Sequence, residues 1–412
     1  MKKTKILLLS DDIRIKTGVG TQALELILNT IDNIDWVQIS GGFVKQHPDN
    51  NKIIDLSEQL KTEFNKEGYL KLYPSNDYGN PNHLLQVIEM EKPDAILLFT
   101  DPKFWGWLWN LENDIRKHIP ILYWHVWDNY PSPDYNKSFY LSCDGIYCIS
   151  KLTYNIVKDV IKDNEIQLKY LPHGVNTNIY KPIQEVNKLF PQFDFIVLYN
   201  NRNIYRKHPS DVILGFENFI KSIKPENRNK CLLVMKTQPI DRNGTNLLDV
   251  KEKMAPLCNI AFIDKTFTED EMNNLYNNCD CTINIASNEG FGLSSLQSIA
   301  AGTMVINNQT GGLIDQSQGQ HCIKIEPKVR ILQGSVETPY IFDDLVDSRD
   351  LAEKIKYVYN LKKEERKRRG IKGVEFVKNN FDIVSISKNF FTFVTELINE
   401  WKPKHKFENI KI

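Results

Sequence analysis

Short apolar runs alternate with stretches of helical periodicity along most of the chain. Ile6 to Leu9 reads as a first strand, and Thr21 to Ile31 repeats Ala23, Leu24, Leu26 and Ile27 at helical spacing. Trp36 to Ile39 reads as a second strand. A helix over His83 to Glu91, a strand over Ala95 to Phe99, a helix over Phe104 to His118 and a strand over Ile121 to Val126 follow. Ile146 to Ile149 and Leu168 to Leu171 are further strands around a helix at Thr153 to Ile161. Strands separated by helices of this length predict a parallel sheet covered on both faces, with ligands beyond the carboxyl ends of its strands.

The turn-rich link Pro172-His173-Gly174-Val175-Asn176 through Pro182 interrupts this pattern, which then restarts. Phe195 to Tyr199, Cys231 to Met235, Ile260 to Ile263, Thr282 to Ala286 and Met304 to Ile306 read as strands. Val212 to Ile223, Leu247 to Met254, Glu269 to Asn277 and Leu293 to Ala301 read as helices. Residues 316 to 345 are irregular, and three helices close the chain, at Arg349 to Leu361, Glu364 to Asn379 and Val384 to Trp401. The restart predicts an α/β chain of two similar Rossmann-like domains, 1–182 and 183–383, facing across a cleft. The same reading predicts that residues 384–412 form a helix that packs back on the first.

Composition narrows the classes without choosing one. The chain has 412 residues, 41% hydrophobic, and 52 Lys plus Arg balance 52 Asp plus Glu. A nucleic-acid binder normally carries a basic excess, which this chain lacks. Runs such as Ala95 to Phe99 are core strands, too short to span a bilayer. The seven cysteines show no paired CxxC spacing, which predicts reduced thiols in a cytoplasmic protein, with neither zinc nor disulfides. The run Lys362 to Arg369 reads as a solvated helix face.

Chemistry concentrates in Ser287-Asn288-Glu289-Gly290-Phe291-Gly292-Leu293-Ser294, between a predicted strand and a predicted helix. The glycines allow close approach of the backbone, and a helix start offers unpaired N–H groups to an anion. Glu289 can accept hydrogen bonds from hydroxyls, so phosphate donors beside a hydroxyl acceptor point to a sugar phosphate; a plain strand-to-helix turn is the alternative. Arg202 and Lys207 follow the strand Phe195 to Tyr199 and stand at the same carboxyl edge, where two cations would suit a diphosphate leaving group; a solvated basic loop is the alternative. Gly18-Val19-Gly20 fits the dinucleotide fingerprint loosely, but its loop is long and the second strand ends in Ser40-Gly41-Gly42 without an acid. A glycine loop approaching a phosphate or sugar suits it better, with a purely structural turn as the alternative. His125, at the end of an aromatic strand between Trp124 and Trp127, either packs in the core or bonds a substrate hydroxyl or phosphate.

Arg202-x4-Lys207 followed by Glu289-Gly290-Phe291-Gly292-Leu293 resembles the family 4 retaining glycosyltransferases of GT-B fold. Further matches are Pro172 to Asn176 at the family's P-N-G-V-D link, Thr310-Gly311-Gly312-Leu313-Ile314-Asp315 at its G-G-x-x-E turn, and Gly18-Val19-Gly20 at its N-terminal glycine loop. Phe262 and Ile263 lie where the family places the nucleotide base. The resemblance implies a metal-independent hexosyltransferase that uses a UDP- or GDP-linked sugar as co-substrate and no other cofactor. The acceptor would be a hydroxyl on a glycan, lipid or small molecule, and peripheral membrane contact is compatible with it. By the same resemblance Arg202 and Lys207 hold the diphosphate, helped by backbone N–H groups of Phe291 to Ser294. Glu289 orients the sugar, Gly18 and Gly20 close over the donor, and His125 is a donor-sugar contact. The family's second glutamate is Gln297 here, still able to bond a ribose. A nucleotide-sugar epimerase of the same fold and a weakened nucleotide-sugar-binding protein are the alternatives.

Overall fold

The computed structural model describes residues 3–42, 47–162 and 164–403, which divide into two units. The first takes the chain up to Trp127, Ser132–Gly174 and the residues from Ile383 onward; the second takes Asp128–Pro131 and Val175–Asp382. Residues 175–182, grouped above with the first domain, bond within the second unit: Val175 N–H donates to Phe381 O at 2.9 Å and Lys181 N–H to Asn273 Oδ1 at 3.1 Å.

The first unit is built on an eight-stranded sheet. Its strands are β1 (Thr4–Asp11), β2 (Ile34–Gly41), β3 (Ile54–Asp55), β4 (Leu70–Pro74), β5 (Ala95–Thr100), β6 (Ile121–His125), β7 (Gly145–Cys148) and β8 (Gln167–Tyr170). They lie in the order β3-β4-β2-β1-β5-β6-β7-β8, parallel except for β3 against β4. β1 and β5 are buried almost throughout, because helices cover both faces of a parallel sheet. The helix Ile383–Glu400 buries Ile386, Phe390, Val394 and Leu397, packs on the helix Gly18–Thr30, and stacks Phe390 on Trp36 at 6.0 Å.

The second unit has a six-stranded parallel sheet. Its strands are β9 (Phe195–Asn200), β10 (Cys231–Lys236), β11 (Ile260–Phe262), β12 (Cys281–Asn284), β13 (Met304–Asn308) and β14 (Cys322–Ile325), in the order β11-β10-β9-β12-β13-β14. Connections from β9 run one way, to β10 and β11, and the chain then returns to place β12 on the other side of β9. The β9/β12 boundary is therefore the topological switch point, where a doubly wound sheet opens a crevice at its carboxyl edge. Val197, Tyr199, Ile283, Ile306 and Phe216 form the core beneath it.

Two sequence-based expectations change. The helix expected over Phe104 to His118 is broken into Pro102–Trp105, Gly106–Trp109 and Glu112–Ile115. Trp109 donates its indole N–H to Pro102 O at 3.1 Å, and buried Arg116 reaches Asp144 at 2.9 Å, so side-chain partners override the periodicity. The stretch 316–345, read as irregular, holds β14 and an antiparallel hairpin of β15 (Val329–Gln333) and β16 (Ile341–Leu345). β15 is largely exposed and lacks the apolar alternation that marks a strand. Among the described residues no helix is long and apolar enough to cross a membrane.

Candidate active site

Lys207 and Glu289 meet at the switch point of the second sheet. β9 ends at Asn200 and leads into a 3-10 turn, Tyr205–Lys207; β12 ends at Asn284 and leads into the Glu289 loop. Because Cys281 pairs with Val197 and Ile283 with Tyr199, both strands deliver their loops to one edge. The loops are fastened together. Ser287 N–H donates to Arg206 O at 2.8 Å, and Arg206 Nη1 donates to Asn288 O at 2.9 Å. Lys207 Nζ forms an ion pair with Glu289 Oε2, with only 9% and 11% of the two side chains exposed. Burial alone would raise the Glu289 pKa, but Lys207 and then Arg206 outweigh it and hold the carboxyl below its usual range. Burial pulls the Lys207 pKa down while Glu289 works against that shift, and the ammonium and carboxylate of the pair can face one ligand's phosphate and hydroxyls.

A second turn braces Glu289 from behind. Gly312 N–H donates to Glu289 O at 2.8 Å, and Gln316 Nε2 donates to Phe291 O at 2.6 Å. Gly311 has φ +51°, and a Cβ there would lie 2.0 Å from Glu289 O, so no side chain fits. Gly292, at φ +92°, immediately precedes the helix Leu293–Ala300. Leu293 and Ser294 open that helix, and their N–H groups have no intrahelical partner. N–H groups at such a helix start are suited to an anion. Gln297, farther along the same helix, accepts from Tyr276 OH at 3.1 Å; Tyr276 OH in turn accepts from Asn200 Nδ2 at 2.8 Å.

The other sequence-predicted residues are placed as follows. Arg202 is 64% exposed and pairs through Nε with Asp241 at 3.0 Å. Phe262 ends β11, at the margin of the sheet, and packs on the core; Ile263 N–H donates to Met235 O at 2.9 Å. Gly18 and Gly20 belong to the first unit. They lie in the first turn of the helix Gly18–Thr30, which starts earlier than its apolar pattern because Thr17 caps it, accepting from Gly20 N–H at 2.9 Å. His125 ends β6 in the same unit, fully buried, with Nε2 2.8 Å from Tyr140 OH. Burial pushes its pKa down to about 3, so the ring is neutral, and its Nδ1 has no partner among the described residues.

Two residues of this neighbourhood escaped the sequence reading. Arg206 sits between the loops described above. Asp344, 1% exposed on β16, receives Thr310 Oγ1 at 2.8 Å, Asn129 Nδ2 at 2.9 Å and Arg330 Nε at 2.6 Å. It thereby fixes the turn that braces Glu289. Among the described residues, no group of three or more His, Cys, Asp and Glu side chains could hold a metal ion.

Comparison with known proteins agrees with this architecture. Residues 181–375 match the family model described as "Glycosyl transferases group 1". No curated protein sequence matches the chain. Among solved structures, sucrose-phosphate synthase from Thermosynechococcus elongatus is similar at TM-score 0.69 and 15% identity, over 96% of this chain and 100% of that one. HepE from Anabaena in complex with UDP and glucose is similar at TM-score 0.68 and 13% identity, over 95% of this chain and 100% of the other. A glycosyltransferase from Rickettsia africae gives TM-score 0.66 and 19% identity over 97% and 100%. The fold is that of the GT-B glycosyltransferases.

Proposed function

We propose that the protein is a retaining glycosyltransferase, moving a hexose-type sugar from a nucleotide diphosphate sugar to a hydroxyl acceptor without a metal. The observation that carries this reading is the buried Lys207–Glu289 pair at the switch point, beside the opening turn of the helix Leu293–Ala300. Lys207 and Arg202, with backbone N–H groups of Phe291 to Ser294, hold the diphosphate and stabilise the charge that grows as the glycosidic bond breaks. Glu289 accepts hydrogen bonds from the donor sugar, and Gln297 from the ribose side through its amide. Phe262 and Ile263 lie toward the base. Roles for Gly18, Gly20 and His125 rest on the resemblance of their motifs, with the open Nδ1 of His125 as the atom available to a sugar hydroxyl. With no second carboxylate assigned as nucleophile, the reading favours front-face departure, in which the leaving phosphate helps to deprotonate the acceptor. HepE was solved with UDP, which makes UDP the first nucleotide to try, with GDP next.

Glu289→Ala tests the sugar-contact role. Transfer is expected to be abolished while free nucleoside diphosphate still binds within a few-fold of the unaltered protein. Retained transfer would overturn the assignment.

A further inference from the structure

The Arg202-x4-Lys207 spacing draws attention to its two ends, but the residue beside the pair is inside it. Arg206 directs Nη1 to Asn288 O at 2.9 Å, one residue before Glu289, and lies 3.7 Å from Asp128 Oδ2 within the same unit. Its backbone is anchored independently, through Ser287 N–H to Arg206 O at 2.8 Å. Arg206 is 38% exposed and Asp128 33%, whereas Lys207 is almost enclosed. The arginine is thus the more solvent-exposed of the two neighbouring cations.

Two cations and two carboxylates meet here, and the Arg206–Asp128 pair is the looser of the two ion pairs. Lys207 and Glu289 neutralise each other, and Arg206 brings a second cation close enough to oppose the charge on Lys207 and to help keep Glu289 ionised. Its Asp128 contact is longer than the 2.7–2.9 Å of a charge-assisted hydrogen bond, and half-exposed pairs of that kind contribute little. An incoming phosphate could displace Asp128 at low cost. Arg202, by contrast, must leave a 3.0 Å bond to Asp241 before it reaches the same ligand.

We propose that Arg206 is a third cation of the diphosphate site, contacting the donor's phosphates from the solvent side of Lys207. This rests on the donor-site reading given above and adds a residue to it. The guanidinium fork suits phosphate oxygens, and its hold on Asn288 O keeps it aimed at the Glu289 loop.

The test is calorimetric titration of the full chain with UDP and with GDP, at low and moderate salt, for Arg206→Gln, Arg206→Lys and the distant surface variant Arg349→Gln. Arg206→Gln is expected to weaken nucleoside diphosphate binding about ten-fold and to flatten its salt dependence, a change that lost packing would not produce. Arg206→Lys should keep the salt dependence with a smaller loss, and it preserves a readout if Arg206→Gln does not fold. Arg349→Gln should bind as the unaltered protein does. If the unaltered protein binds UDP or GDP and Arg206→Gln matches it in affinity and salt response, this inference alone fails. If the unaltered protein binds neither, the donor-site reading falls and this one with it.

Discussion

Replacing Lys207 by Ala isolates the interaction on which the site is built. Both members of the Lys207–Glu289 pair are nearly enclosed, and removing one partner of a buried pair costs about 3–5 kcal/mol, because the other charge is left without compensation. Arg206 remains nearby and offsets part of that, so the low end, about 3 kcal/mol, is expected. For a unit of this size that corresponds to a fall of about 6–12 °C in melting temperature.

The pH response carries the sharper signature. In the unaltered protein Glu289 titrates below its ordinary value of 4.5. Its stabilising contribution is therefore present above 4.5 and fades as pH falls through the lower folded value. Without Lys207, burial lifts the folded value above the unfolded one and the sign reverses: stability is highest at low pH and declines as pH rises through the raised value. Urea unfolding at pH 7 and pH 5 should show a larger deficit at pH 7. In Lys207→Ala/Glu289→Gln, about 2 kcal/mol of the single variant's loss should be recovered. A loss below about 1 kcal/mol that is equal at both pH values, with additive single variants, would refute the reasoning.

Three further outcomes follow from the same geometry. Gly311→Ala places a methyl against Glu289 O and is expected to cost about 2–4 kcal/mol and to abolish nucleotide binding, read by thermal melting with and without UDP. Asp344→Ala removes the acceptor for Thr310, Asn129 and Arg330; a loss of about 3 kcal/mol is expected, and a change within about 0.5 kcal/mol would mean that the brace is dispensable. In the first unit, burial holds His125 and His173 at about 3, so their contributions are present above 6.5 and are lost as pH falls toward 3. Each should add a slope of about 1.4 kcal/mol per pH unit below pH 6, and His125→Gln should remove one of the two increments.

Much of the site could be read from local patterns. β9 is an almost continuous apolar run because it is buried on both faces, and the Glu289 loop is marked by its own glycines. Lys207 was legible because it follows β9 directly. That it touches Glu289 depends on the pairing of β9 with β12, a contact across 82 positions that no local pattern encodes. Arg206 was passed over because a motif defined by its end residues hides the one between them. Asp344 lies on a hairpin whose exposed partner strand has no apolar period, so neither the strand nor the hub announced itself. The helix expected from Phe104 to His118 shows the opposite failure, a good local period overruled by Trp109 and Arg116.

The most direct test of the central claim is donor hydrolysis by the purified protein, with UDP-, GDP- and ADP-linked hexoses and with thermal stabilisation by the matching nucleoside diphosphates and by NAD. The account predicts stabilisation by one nucleoside diphosphate and slow release of free sugar of unchanged configuration from the corresponding donor, lost in Glu289→Ala. Stabilisation by NAD alone, or conversion of the donor to an epimer without release of sugar, would contradict it.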